Sequence, residues 1–184
     1  MVTTKRITVD DLERDGVPDG FWELIDGRIV EVPPAGGEAS SIGVTLTSYL
    51  APHVRERGLG RVYGADGGFV LYPRTEREML RAPDAAFVRA ERVPPPELHA
   101  RFLRLAPDLV AEVVSPSNSA PEVAEKIAMW PEAGVRLAWV VDPSARTVAV
   151  HAPNQPIRLL REQDDLDGGD VLPDFRVRVS DLFA

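Results

Sequence analysis

The chain has 184 residues, of which 44% are hydrophobic, and its formal net charge at pH 7 is −8. This length and composition fit a globular domain with a full core and exclude a disordered chain. The absence of cysteine excludes disulfides, thiolate metal sites and a cysteine nucleophile. The negative charge argues against strong nonspecific binding to nucleic acid, because phosphate neutralisation needs clustered positive charge.

The sequence gives no sign of membrane insertion or secretion. The first residues, MVTTKRITVDD, lack the apolar stretch of a secretory signal. No apolar run approaches the roughly 20 residues that a bilayer-spanning helix needs. We therefore expect a cytoplasmic protein that does not enter a membrane.

The first elements in chain order are a short helix and a β-hairpin. Thr8 and Asp11 have the spacing of a capping box, which places a helix start at Thr8. The segment FWELIDGRIVEV then has two apolar arms around Asp26 and Gly27, residue types that tolerate positive φ. It predicts an N-terminal β-hairpin that carries Glu23 in its first arm.

A long helix and two strands are predicted next. Across residues 38–57 the apolar positions recur at steps of three and four, which indicates an amphipathic helix, and Pro52 predicts a kink or an early end. Residues 61–72 contain two apolar runs, RVYG and GFVLY, that predict short strands. Residues 73–79 are charged and predict a loop.

Two further strands carry the acidic residues of greatest interest. Residues 82–88 predict a strand that contains Asp84, and residues 109–114 predict one that contains Glu112. The second run is apolar on both faces, which is typical of a central strand covered on both sides. A helix should follow it. Its candidate caps are serine and asparagine side chains, and its buried positions are apolar: Ser117, Asn118 or Ser119 for the cap, and Val123, Ile127 and Trp130 for the buried side.

The remaining residues predict mostly strands. Residues 135–141 form a buried apolar run, and residues 147–151 and 157–161 have the pattern of further strands. Helices interleaved with buried strands indicate an α+β fold, a mixed β-sheet flanked by helices. We expect one domain over residues 1–184.

Asp84 and Glu112 are the candidate metal ligands. A carboxylate in an apolar strand is costly to bury unless something compensates its charge. If the two strands are neighbours, both carboxylates can converge on one Mg²⁺ or Mn²⁺ ion, which prefers hard oxygen ligands. The structural alternative for Asp84 is a residue at the start of a strand that hydrogen-bonds its own backbone.

Lys126 is the candidate cation of the same site. Its structural alternative is an i,i+4 pair with Glu122 on the surface of the helix. Lysine is rare here, because only two of the 21 basic residues are lysine, so arginine would be expected at an ordinary surface position. A lysine therefore suggests a need for a compact ammonium group.

Four other residues are weaker candidates. Glu23 is either a third site carboxylate or an exposed residue of the hairpin, and the sequence does not separate the two. His53 lies on the apolar side of its helix and is better explained as a packed histidine. His99 and His151 have no spacing typical of metal ligands.

Five motifs together carry a resemblance to a known family: FWELIDGRIVEVPP, RAPDAAFV, APDLVAEVVSPSNS, EKIAMWPEAGVRLAWVVDP and LDGGDVLPDF. The chain resembles the Uma-type putative restriction endonucleases of the PD-(D/E)xK nuclease superfamily over residues 8–183. The resemblance implies a restriction-endonuclease-like fold, a divalent metal, cleavage of DNA and, often, a homodimer.

The resemblance also implies roles for individual residues. Asp84, after Pro83, matches the first acidic position of the superfamily motif, and Glu112 matches the second. The lysine position of that motif is Val114 here, and its role would pass to Lys126 of the following helix. Glu23 matches the glutamate of the family's hairpin.

Two positions depart from the family pattern. The alignment places Ala39 where similar chains have a histidine, and Pro131 follows Trp130 where an aliphatic residue is usual. Two functions are therefore expected: a metal-dependent DNA endonuclease, or a catalytically degenerate nuclease fold that serves as a nucleic-acid-binding or protein-assembly module. The acidic net charge favours the second somewhat.

Overall fold

A computed structural model describes residues 6–115 and 120–184 of the chain. The described residues contain three α-helices: α1 (Val9–Asp15), α2 (Gly37–Glu56) and α3 (Ala120–Glu132). They also contain twelve strands: β1 (Trp22–Ile25), β2 (Arg28–Glu31), β3 (Gly60–Gly64), β4 (Phe69–Leu71), β5 (Met79–Arg81), β6 (Ala85–Arg89), β7 (Leu109–Val113), β8 (Leu137–Asp142), β9 (Thr147–His151), β10 (Arg158–Arg161), β11 (Asp165–Asp167) and β12 (Arg176–Arg178).

The chain forms two compact units that alternate along the sequence. The first comprises residues 1–34, 67–82 and 94–106, and the second comprises all the others. The expectation of one domain stays a prediction. The predicted caps Ser117, Asn118 and Ser119 lie outside the described residues.

The first unit is a four-stranded antiparallel sheet covered by α1. The strand order is β2-β1-β5-β4, and Val9 and Leu12 of α1 share an apolar core with Leu24, Val70 and Leu80. The predicted capping box at the start of α1 and the predicted hairpin are confirmed. The prediction of a loop up to residue 79 missed β5, which pairs with both β1 and β4.

The second unit contains a six-stranded mixed sheet in the order β10-β9-β8-β7-β6-β3. The β7–β8 pair is parallel and the other pairs are antiparallel, as the α+β prediction of a mixed sheet flanked by helices requires. Helix α2 and the last 20 residues pack on one face of this sheet in a single apolar core. Helix α3 packs against β8.

Both long helices continue through a proline. Helix α2 extends from residue 37 to residue 56, so the predicted early end at Pro52 is wrong. The lost backbone hydrogen bond is offset here by packing, because Leu50 and Val54 on either side of Pro52 are buried in the core.

Within the described ranges, no helix is long and apolar enough to cross a membrane.

The strand predicted for residues 82–88 is shorter than expected. Strand β6 begins at Ala85, so Asp84 lies in a bend directly before the strand and not within it. Pro83 has no N–H to give to a sheet, and the Asp84 carboxylate itself accepts a backbone hydrogen bond from Val113 at 2.6 Å. This bond is to the neighbouring strand, not to the Asp84 backbone.

Asp108 links the beginning of β7 to both neighbouring strands through hydrogen bonds and an ion pair. The residue is 1% exposed, and its carboxylate pairs with Arg92 at 2.7 Å and accepts the Arg89 N–H at 2.9 Å. Its backbone carbonyl accepts the N–H groups of Arg136 and Leu137 at the start of β8. The register of β7 is therefore fixed at this end by one residue.

We predict that Asp108→Asn lowers the free energy of unfolding by about 2–3 kcal/mol, because the amide keeps the volume but leaves Arg92 without its counter-charge. Urea denaturation measures this difference. Asp170→Asn, a change at an exposed side chain, is the matched control and should stay within about 0.5 kcal/mol of the parent. Equal effects of the two substitutions would contradict this role of Asp108.

Candidate active site

Glu112 is a buried carboxylate near the end of the central strand β7. Alternation along the strand places Leu109, Ala111 and Val113 in the core shared with α2, so Glu112 faces the other side. The residue is only 9% exposed. A charge at this depth must be compensated by nearby donors.

Helix α3 supplies two donors to this carboxylate. Lys126 Nζ lies 2.8 Å from Glu112 Oε2, and the Trp130 indole N–H donates to Glu112 Oε1 at 2.9 Å. The two donors are four residues apart and therefore lie on the same side of the helix. Each oxygen of the carboxylate has its own donor, which compensates the buried charge.

Asp84 lies directly before β6, one residue beyond the last register pair of β6 with β7. The pairing of β6 with β7 ends with Ala85 opposite Ala111, and the next residues along the two chains are Asp84 and Glu112. Asp84 is half-buried, and its Oδ2 accepts a hydrogen bond from the backbone N–H of Val113. The two predicted site carboxylates thus occur at the same end of one strand pair, and their convergence on a metal ion stays a prediction.

Helix α2 approaches this end of the strand pair at a glycine. A Cβ atom on Gly43 would lie 3.8 Å from the Asp84 Cβ atom, in ordinary contact. Ala39 is one turn earlier on the same side of the helix and is 6% exposed in the apolar core. A histidine at position 39 would have to displace core side chains in this protein.

Glu23, the third predicted site carboxylate, lies in the first unit. It is 8% exposed, so the alternative of an exposed hairpin residue is wrong. Its Oε2 atom pairs with Arg81 Nη1 at 2.5 Å, and Oε1 accepts the backbone N–H of Ala82 at 3.3 Å. These contacts give Glu23 a structural partner, and a role in catalysis stays a prediction.

The three histidines have separate surroundings. His53 Nε2 lies 2.9 Å from the Pro173 carbonyl oxygen, and its ring packs edge-on against Phe175, as expected of a packed histidine. His99 Nε2 lies 2.7 Å from the Pro94 carbonyl oxygen. Burial lowers the pKa of His151. Across the described ranges, no group of three or more histidine or acidic side chains is arranged to hold a metal ion.

Trp130 is the site residue that the sequence analysis missed. It was assigned to the buried side of α3 for its apolar surface, and it is fully buried. The overlooked signal was its spacing, because residue 130 follows Lys126 by four positions and an indole carries one N–H donor.

Comparison with known proteins bears on the family and on the fold. Residues 10–180 match the Uma2 family, described as a putative restriction endonuclease. The crystal structure of a putative nuclease belonging to DUF820 from Anabaena variabilis is similar, with a TM-score of 0.80 and 21% sequence identity over 96% of this chain and 97% of that one. At this identity the likeness shows the fold alone. No curated protein matches the chain.

We predict that Glu112 and Lys126 are energetically coupled. A double-mutant cycle of Glu112→Gln and Lys126→Met, measured by urea denaturation, should give a coupling of about 1–2 kcal/mol, because the carboxylate is buried. The pair Arg158–Asp167, which is 3.0 Å apart and far more exposed, is the control and should give less than about 0.5 kcal/mol. Equal coupling in the two pairs would contradict a special interaction at Glu112.

Proposed function

The chain belongs to the Uma2 family of putative restriction endonucleases, and on this premise we propose that it is a metal-dependent DNA endonuclease with its site at Asp84, Glu112 and Lys126. The observation that carries the proposal is the contact of Lys126 with Glu112 at 2.8 Å. It joins a carboxylate of the central strand to the ammonium of the next helix, and a second carboxylate, Asp84, lies directly before the neighbouring strand β6.

The donor set suits a hard divalent cation. Asp84 and Glu112 would hold Mg²⁺ or Mn²⁺ through carboxylate oxygens, and water and phosphate oxygens would complete the coordination. Each carboxylate offers about four lone-pair positions, so the donors from α3 do not exhaust Glu112. The ion would polarise the scissile phosphate and lower the pKa of the attacking water.

Lys126 would supply positive charge at the same place. Its side chain is 31% exposed, so part of the lysine is accessible from solvent while its ammonium neutralises Glu112. A phosphodiester that enters the site brings negative charge, which the ammonium can stabilise as charge develops on the phosphate oxygens. Holding this cation against a buried carboxylate fixes its position before substrate binds.

The acidic chain makes DNA binding depend on local positive charge. With a net charge of −8, nonspecific attraction to phosphate is weak. A homodimer, which the family resemblance implies, would present two equivalent sites to the two strands of a duplex. A cytoplasmic location likewise stays a prediction.

We predict that the protein binds Mn²⁺ and nicks plasmid DNA, and that Glu112→Gln abolishes the binding and reduces nicking by on the order of 100-fold or more. Calorimetry and a plasmid assay measure the two effects. The matched control is Glu125→Gln, because Glu125 is exposed on α3 next to Lys126 and should leave both properties unchanged.

The outcome separates the two candidate functions. Metal binding that disappears only in Glu112→Gln supports the endonuclease. A folded parent protein that neither binds Mn²⁺ nor nicks DNA would favour the degenerate binding or assembly module.

We also predict that Lys126→Met lowers nicking by on the order of 100-fold while Mn²⁺ affinity stays the same or rises, because a cation that competes for Glu112 is removed. Lys126→Arg should fail as well, because guanidinium is wider and planar. Nicking assays, Mn²⁺ calorimetry and thermal melts on the two variants measure these effects. Full activity in Lys126→Arg would mean that any cation suffices and that the role of Lys126 is structural.

A further inference from the structure

We propose that Trp130 is a positioning residue, which holds the Glu112 carboxylate in the orientation in which it takes a metal ion. This inference rests on the proposed function, because it concerns the same metal site. It begins from the hydrogen bond of 2.9 Å between the indole N–H and Glu112 Oε1.

A glutamate carboxylate is not oriented by its own torsions. The terminal torsion of glutamate has a broad, two-fold profile, so the plane of the carboxylate rotates easily. Here Trp130 holds one oxygen and Lys126 holds the other, and both donors belong to one side of α3. Rotation of the carboxylate would break both contacts.

Of the two donors, Trp130 is the rigid one. The residue is 0% exposed, whereas Lys126 has a long flexible side chain that is 31% exposed. If Lys126 turns toward a phosphate oxygen during the reaction, Trp130 remains to fix the carboxylate. Partners of this kind, which orient the ligands of a metal without touching it, typically contribute 10–100-fold to metal affinity.

A second buried tryptophan shows that the contact is not simply a requirement of the indole. Trp139 is also 0% exposed, and its ring stacks on Phe175. Its N–H has no hydrogen-bond partner within the described part of the chain. Burial of an indole in this fold therefore does not by itself place its N–H against a carboxylate. We attribute the hydrogen bond of Trp130 to the charge of Glu112. Burying a carboxylate without donors costs more free energy than burying an N–H without an acceptor.

The pair of tryptophans supplies a matched set of variants. Trp130→Phe and Trp139→Phe make the same change of side-chain volume at two fully buried positions, and Trp130 is the one of the two whose indole N–H donates to Glu112. Each variant is compared with the parent for Mn²⁺ affinity by calorimetry and for stability by thermal melting. We expect Trp130→Phe to weaken Mn²⁺ binding about 10-fold and Trp139→Phe to leave it unchanged.

A spectroscopic measurement adds a readout that does not depend on activity. Tb³⁺, which is also bound by hard oxygen ligands, emits when a nearby indole absorbs light. Because the Trp130 indole touches the proposed ligand, excitation of tryptophan should produce Tb³⁺ emission in the parent and in Trp139→Phe. The emission should be largely lost in Trp130→Phe.

Two results would overturn the inference. Mn²⁺ affinity in folded Trp130→Phe equal to that of the parent would show that Trp130 does not position Glu112. A folded parent that binds neither Mn²⁺ nor Tb³⁺ would overturn the proposed function and this inference with it. Metal binding in the parent distinguishes the first failure from the second.

If Trp130→Phe does not fold, the parent protein itself provides the test. Labelled tryptophan gives three indole N–H signals in a nuclear magnetic resonance spectrum, one for each of Trp22, Trp130 and Trp139. Trp22→Phe and Trp139→Phe identify the Trp130 signal by elimination. Paramagnetic Mn²⁺ should broaden the Trp130 signal before the other two, and broadening of another signal first would overturn the inference.

Discussion

The second unit depends on the burial of one carboxylate in a central strand. Glu112 is 9% exposed on a strand that lies between β6 and β8, where burial of its charge is costly unless donors reach the carboxylate oxygens. No residue of β7 can do this, since the strand is otherwise apolar. Two donors, Lys126 and Trp130, come from α3. Their contacts with Glu112 help to hold that helix against β7.

The topology provides this arrangement directly. Strands β7 and β8 are parallel, and a parallel pair requires a crossover that returns along the sheet. Helix α3 is that crossover, and its packing places residues 126 and 130 over the strand it has just left. Asp108, directly before β7, fixes the register of β7 against its neighbouring strands through its hydrogen bonds and its ion pair. Glu112, near the other end of β7, is part of the candidate site. A stabilising carboxylate thus directly precedes β7, and a candidate catalytic one lies within it.

Sequence reasoning predicted the elements better than their contacts. The spacing of apolar residues and the residue types at turns identified the hairpin, α2 and the central strand, because these signals lie within short stretches of sequence. It extended the Asp84 strand too far, since the competing hydrogen bond from Val113 is a long-range contact. It assigned Trp130 to the core, because apolar surface and a donor N–H coexist in one side chain. It did not foresee that Arg81 pairs with Glu23, because an ion pair between distant residues leaves no periodic pattern.

Three buried carboxylates of the described residues pair with a cation, and Glu112 differs from the other two in the cation that it contacts. Glu23 pairs with Arg81 and Asp108 pairs with Arg92, and in both cases the guanidinium also suits a fixed, planar contact. Glu112 instead pairs with one of only two lysines in the chain. An arginine would neutralise the carboxylate as well and would hold it more rigidly. The compact ammonium of a lysine turns more easily from the carboxylate to a second anion, and under the proposed function that anion would be the phosphodiester. The indole of Trp130 then supplies the rigidity that a mobile lysine does not.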